Sequence, residues 1–231
     1  NTTGFQNSAV GQSALLNNTT GNYNSALGTN ALYSNTVGTD NVAIGRSAMG
    51  TTTGSNIGGG NSAIGYNSLF NNTSGDSNSA LGQGSLYSNL SGNYNVAVGR
   101  DALYDNTTGS RNLASGYLAL SSNTTGSDNV GLGYNTFGTT TANNTGDDNV
   151  AIGTSALFDN TTGYSNVAIG DSVMRRNTTG INNVALGNGA LLVNTSGERN
   201  IAIGLDTLNA NTTGYSNIAL GQDALGANTT A

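Results

Sequence analysis

Asn-x-Ala-x-Gly recurs thirteen times in this chain, from Asn7-Ser8-Ala9-Val10-Gly11 to Asn217-Ile218-Ala219-Leu220-Gly221, with Gly131 once replacing the alanine. Nearly every step between copies is 17 residues. A fixed short period requires one structural unit stacked on copies of itself, so fold and function must follow from an array and not from a single site.

Numbered from the Asn of Asn-Thr-Thr-Gly, each unit carries Asn at position 1 (Ser55 once), Gly at 4, Asn at 7, Ala at 9, Gly at 11 and a large apolar residue at 15. Positions 7 to 11 read as a short strand, because Asn41-Val42-Ala43-Ile44-Gly45 and Asn149-Val150-Ala151-Ile152-Gly153 set β-branched residues between small ones. Side chains alternate across a strand, so positions 7, 9 and 11 face one way and 8 and 10 the other. Both sets are apolar or small, as in parallel strands buried on two faces. A second short strand is expected over positions 13 to 16, around Ala14-Leu15. Corners fall at Asn-Thr-Thr-Gly and at Gly11, where Gly and Asn tolerate positive φ. Gly and Asn recur too often for a helix.

The predicted fold is therefore all-β: a parallel β-solenoid, or β-roll, of about thirteen coils. At the ~4.8 Å spacing of neighbouring strands, thirteen coils make a rod about 60 Å long. Stacking sets the position-7 residues Asn7, Asn24, Asn41, Asn61, Asn78, Asn95, Asn112, Asn129, Asn149, Asn166, Asn183, Asn200 and Asn217 in one column, where buried amides can satisfy one another. They are read as a structural ladder and not as ligands.

All 18 charged residues fall at positions 5, 6, 12, 13, 16 or 17, and so do all ten tyrosines. These six positions are read as the solvent face. Two units, 41–60 and 129–148, are 20 residues long and match each other, Met49-Gly50-Thr51-Thr52-Thr53 against Phe137-Gly138-Thr139-Thr140-Thr141. They lie 88 residues apart, and a further 88 reaches Gly226, so a third long unit is expected to begin there. Residues 1–231 read as a single array, a segment of something longer. The apolar residues at positions 8 and 10 would leave a stripe along the rod that self-association could bury.

Several function classes are excluded. The net charge is −6, the only cationic side chains are arginines, and the pI is about 4.1, a poor balance for nucleic acid. No apolar run approaches the ~20 residues of a membrane span. Without His, Lys or Cys most nucleophile–base pairs are impossible, and an enzyme is the least expected class. Asp147-Asp148, the one adjacent acid pair, reads as a solvated corner. No catalytic residue, cofactor or metal ligand is assigned.

Asn-Val-Ala-Ile-Gly, repeated with Ala-Leu and Asn-Thr-Thr-Gly between copies, resembles the head repeats of YadA-type trimeric autotransporter adhesins. It is equally similar to repeats of bacterial surface proteins and phage tail fibres. The resemblance covers the whole chain. It implies a left-handed parallel β-roll, a homotrimer, and an adhesive or spacer fibre outside the cell, on a cell surface or on a virion. The expected partner is the chain itself, with a host-surface or glycan ligand met by exposed Tyr and Arg. The alternatives are an extracellular filament assembled end to end, and an ice-binding solenoid. The second is disfavoured because its Thr residues sit at corners.

Overall fold

A computed structural model describes residues 2–51, 54–138 and 143–230. The chain forms two compact units, Asn1–Ser115 and Gly116–Ala231. Each is a β-solenoid. The first holds β1 (Ser8–Val10), β2 (Ser25–Leu27), β3 (Val42–Ile44), β4 (Ser62–Ile64), β5 (Ser79–Leu81), β6 (Val96–Val98) and β7 (Leu113–Ser115). The second holds β8 (Val130–Leu132), β9 (Val150–Ile152), β10 (Val167–Ile169), β11 (Val184–Leu186), β12 (Ile201–Ile203) and β13 (Ile218–Leu220). No helix occurs among the described residues.

Within each unit the strands pair in parallel with their neighbours in chain order. Equivalent residues stand opposite one another, Ala80 by Ala97 and Leu81 by Val98 in the first unit, Ala168 by Ala185 in the second. The period-2 alternation holds. The central alanines, such as Ala43, Ala63, Ala97, Ala151 and Ala185, are fully buried. Across the hollow from them lie Leu32, Leu69, Leu86 and Leu103, and in the second unit Phe137, Leu157, Met174 and Leu191. The core of a coil is thus the strand alanine, one large residue and, in most coils, the small residue just before it, such as Ala31, Ala48, Ala102, Ala119, Ala156 and Ala190. The single Gly131 shares its coil with the largest pair, Thr136 and Phe137, and an added Cβ would lie 2.7 Å from Leu120 Cγ.

The second strand expected at positions 13 to 16 does not form. That segment is a pair of tight turns, closed in one coil by Ala102 N–H to Gly99 O at 3.4 Å and Asn106 N–H to Leu103 O at 3.2 Å. Positions 13 and 15 have left-handed backbone, for example Asp101 at φ 55° and Leu103 at φ 52°. A strand cannot hold two such residues two apart. The turns still bond from coil to coil, as in Leu86 N–H to Ala102 O at 2.9 Å. A left-handed leucine is disfavoured by roughly 1–2 kcal/mol, while full burial of its side chain contributes about 1.5–3 kcal/mol. Burial wins, and the core residue stays in a conformation that leucine seldom adopts.

The corner glycines divide into two kinds. Those at position 11 have positive φ, Gly82 at 136°, and a Cβ there would lie 2.5 Å from Gly99 O. Those closing Asn-Thr-Thr-Gly have ordinary φ, contrary to the expectation of a left-handed corner. They are glycine because the next coil lies against them: a Cβ on Gly92 would overlap Gly109 O and lie 2.5 Å from Asn89 Oδ1.

In the long coils the register also differs from the sequence reading. Asn56, and not Ser55, bridges to Asn35, and Asn144 bridges to Asn123. The corner there contracts to Asn56-Ile57-Gly58 and Asn144-Thr145-Gly146, one residue short. The matching extra residues Thr52, Thr53, Thr139, Thr140 and Thr141 lie outside the described residues.

Candidate binding surface

The position-7 asparagines are buried from Asn24 to Asn200 and half-buried at the ends, Asn7 and Asn217. Asn95 Oδ1 accepts the backbone N–H of Asn112 at 3.0 Å and its Nδ2 at 3.1 Å, while Asn95 Nδ2 donates to Gly109 O at 2.9 Å and Asn78 Oδ1 at 3.1 Å. In the first unit the same backbone-to-Oδ1 contact joins Asn7, Asn24, Asn41, Asn61, Asn78 and Asn95 in turn. In the second it joins Asn129, Asn149, Asn166, Asn183, Asn200 and Asn217. Each amide therefore ties three chain segments and offers little to a ligand.

A second amide column stands at position 1. Asn89 Nδ2 donates to Asn72 Oδ1 at 2.9 Å and Asn106 Nδ2 to Asn89 Oδ1 at 2.8 Å, with a further bond from each to the glycine three residues on. It changes at the contracted corners, where Asn56 Oδ1 turns to accept Gly58 N–H and Asn144 Oδ1 accepts Gly146 N–H. Asn35 Oδ1, Asn56 Nδ2 and Asn144 Nδ2 are left buried without a partner. Threonines of the corners donate their hydroxyls to the carbonyl one coil on, Thr73 to Leu90 O at 2.8 Å and Thr178 to Thr195 O at 2.9 Å.

Of the six positions read as solvent-facing, position 5 is partly structural. Asp76 Oδ1 accepts Gly59 N–H and Asp147 Oδ1 accepts Ser127 N–H, both at 2.7 Å. The acid pair Asp147-Asp148 is thus a corner cap on one side. No group of three or more His, Cys, Asp or Glu able to hold a metal occurs among the described residues. No Asp, Glu or Arg among them is buried.

Positions 12, 13 and 16 make the chemically varied face. In the first unit position 16 is a column of rings. Phe70 stacks on Tyr87, centroids 5.2 Å apart and planes at 12°, and Tyr87 on Tyr104, 4.8 Å and 4°. The coil spacing sets these distances, close to the shortest favourable for aromatic pairs. Beside them runs position 12, where Arg46 lies over the Tyr66 ring at 4.3 Å and Arg100 pairs with Asp101 at 3.1 Å. Gly84 opens a cleft of about 140 Å³ between Tyr66, Gln83 and Arg100 on one side and Tyr87 and Tyr104 on the other. The Tyr104 phenol is pushed up from its ordinary value by burial, then by Tyr87, Asp101 and Asp105, so it remains a hydrogen-bond donor. Partial desolvation also raises the carboxyl of Asp105, which stays largely exposed.

A larger cleft, about 370 Å³, lies where the ring column is interrupted. Tyr33 and Phe70 stand two coils apart, the residue between them is Gly50, and Ser13, Asn30 and Ser47 complete the lining. In the second unit Tyr117 and Tyr134 pair at 5.7 Å and Arg175 lies 5.3 Å over Phe158.

A third surface is apolar. The outward residues of the strands are exposed: Val10, Leu27, Ile44, Ile64, Leu81, Val96 and Val98 in the first unit, Ile201, Ile203, Ile218 and Leu220 in the second. From β2 onward only the central residue of each strand is buried, and the outward residues form in each unit the apolar stripe expected from positions 8 and 10. The aromatic column and the amide column at position 1 were not singled out in the sequence. The recurrence of Tyr and Phe at one phase was the available signal for the first. No family model, curated protein or solved structure matches this chain.

Proposed function

We propose that this chain is a non-enzymatic segment of an extracellular structural and adhesive fibre, a left-handed β-roll that assembles as a homotrimer on a cell or virion surface. The observation that carries the reading is the outer strand face. Leu27, Leu81 and Val10 are about half exposed or more. Every strand carries an outward aliphatic residue, exposed in β1 to β7, β12 and β13 and half-buried in β8 to β11. Lone exposed aliphatics are ordinary, but a continuous stripe of them is what an interface buries. Three identical stripes converging on one axis close the assembly, and every copy buries the same surface. Adhesion is assigned to positions 12, 13 and 16, where rings, arginines and amides are displayed on a backbone that stacking holds rigid. The absence of Lys, His and Cys from the sequence supports a non-catalytic role.

Sedimentation equilibrium tests the assembly. A discrete trimer is expected, and Leu81→Lys with Val98→Lys should dissociate it while leaving the circular dichroism spectrum of the coils in place. A monodisperse wild-type monomer overturns the trimer. Open-ended polymers growing with concentration would favour a filament instead.

A further inference from the structure

We infer that the interrupted ring column in the first unit is a saccharide-binding slot, taking one neutral pyranose ring between Tyr33 and Phe70. This rests on the adhesive reading above and names the chemistry of its ligand.

The position-16 column carries no ring at Gly50, between Tyr33 and Phe70. Rings at position 16 stack in consecutive coils at 4.8–5.2 Å. Gly50 interrupts the column and cannot be replaced by a larger rung, because a Cβ there would lie 2.6 Å from Asn30 O and 2.9 Å from Ser47 Cα. Phe70 has Tyr87 on one face, so its other face looks toward the Gly50 coil. Tyr33 stands on the far side of that coil. Two coil spacings separate the two rings, roughly 9.6 Å. A single ring inserted midway sits at the distance from each wall that the column already uses for its own rungs.

The rest of the lining selects the kind of ring. Ser13, Asn30 and Ser47 offer two hydroxyls and one amide, with no charged side chain among the lining residues. These three side chains have no internal hydrogen-bond partner among the described residues. A phenyl or aliphatic ligand would strip water from them without replacing its bonds, which is unfavourable. A pyranose presents C–H faces to the two rings and equatorial hydroxyls to the serines and the amide. An acidic chain with no cation in this cleft does not favour a phosphorylated or sulfated group. The cleft volume, about 370 Å³, lies at the lower end of the range of small-molecule sites.

The test uses the full chain, with tyrosine fluorescence and calorimetry to follow binding of three soluble neutral glycans: maltohexaose, cellohexaose and mannan. Heparin is the charged comparison. At least one neutral glycan should bind and heparin should not. Tyr33→Ala and Phe70→Ala should each weaken binding about tenfold, the loss of one stacked ring face. Phe70→Tyr should bind as the wild type, because Tyr87 and Tyr104 occupy the same column. Ser47→Leu should abolish binding by filling the slot. It is expected to fold, since Leu118 holds the equivalent place with the same left-handed backbone at φ 57°. Tyr215→Ala, an exposed tyrosine of the second unit, should leave binding unchanged. Failure of all three neutral glycans to bind overturns the slot, as does wild-type affinity in both alanine variants. Adhesion of the chain to intact cells is then measured with the same variants. If cells are bound equally by wild type and Phe70→Ala, the adhesive reading stands and the slot falls. If no cell surface is bound while a neutral glycan still binds through Tyr33 and Phe70, the adhesive reading falls and the slot stands.

Discussion

At the scale of single residues, the left-handed core positions carry the most information. Leu103 is fully buried at φ 52°, and Met49, Phe137 and Met174 hold the same place in other coils at φ 48° or 49°. Valine and isoleucine, common elsewhere in the chain, never occur there. Branching at Cβ crowds a left-handed backbone, whereas Leu, Met and Phe branch farther out. Leu103→Met should therefore change stability by less than about 1.5 kcal/mol. Leu103→Val adds strain to lost volume and should be destabilising by more than about 2 kcal/mol. Urea unfolding midpoints of the two variants decide it, and similar values for both would refute the account. Asp105 gives a pH dependence. Its folded carboxyl is raised, so the folded state holds the proton more firmly than the unfolded chain. Stability is full below the ordinary carboxylate range and falls as pH rises toward the raised folded value. Asp105→Asn should remove that fall, so the variant's melting temperature gains on the wild type from acid to neutral pH and then levels off.

At the scale of the element, one coil is a strand and two tight turns, closed by amide columns and held to its neighbours by glycines with no room for a side chain. The strand was legible because period 2 survives even over three residues: Ala97 points in and Val96 and Val98 point out. The turn was not, because Ala-Leu at positions 14 and 15 carries the apolar character of a strand and only its φ sign differs. The Asn-Thr-Thr-Gly corner was legible as a corner but for the wrong reason. Its glycine answers to contact with the next coil and not to its own backbone. Glycine substitutions separate these reasons. Gly82→Ala meets both a forbidden φ and backbone at 2.5 Å, and Gly92→Ala, at an ordinary φ, meets only the close contacts with Gly109 O and Asn89 Oδ1. Both should lower the denaturation midpoint severely. Gly54→Ala, where the nearest atom to a Cβ is Thr73 Cγ2 at 3.6 Å, should be within about 0.5 kcal/mol of wild type. A mild effect at Gly92 would show that neighbouring coils can part to admit a methyl group.

At the scale of the molecule, each strand touches only its neighbours in the sequence within a unit. Stability then sums over coils and their interfaces, with no contact that depends on the total number. Removing residues 89–105, one whole coil, joins Ser88 to Asn106 and returns every column to register. That deletion should preserve the circular dichroism spectrum per residue and lower the urea m-value in proportion to length. Removing residues 90–105, one residue fewer, sets Asn89 where Asn106 is followed by its corner and displaces the columns. It should unfold cooperatively at far lower urea. Equal stability of the two deletions would contradict a register held by columns.

The repeat by itself determined the class of fold, the coil length, the inward alanine and the confinement of charge to a few positions. Each follows from periodicity, which needs no knowledge of where the chain goes next. The tertiary structure decided what depends on contact between coils. It showed left-handed turns in place of a second strand, glycines required by the adjacent backbone, and a corner shifted by one residue at Asn56 and Asn144. It also revealed the ring column broken at Gly50. That break is invisible in one dimension because Tyr33, Gly50 and Phe70 lie 17 and 20 residues apart and become neighbours only when coils stack.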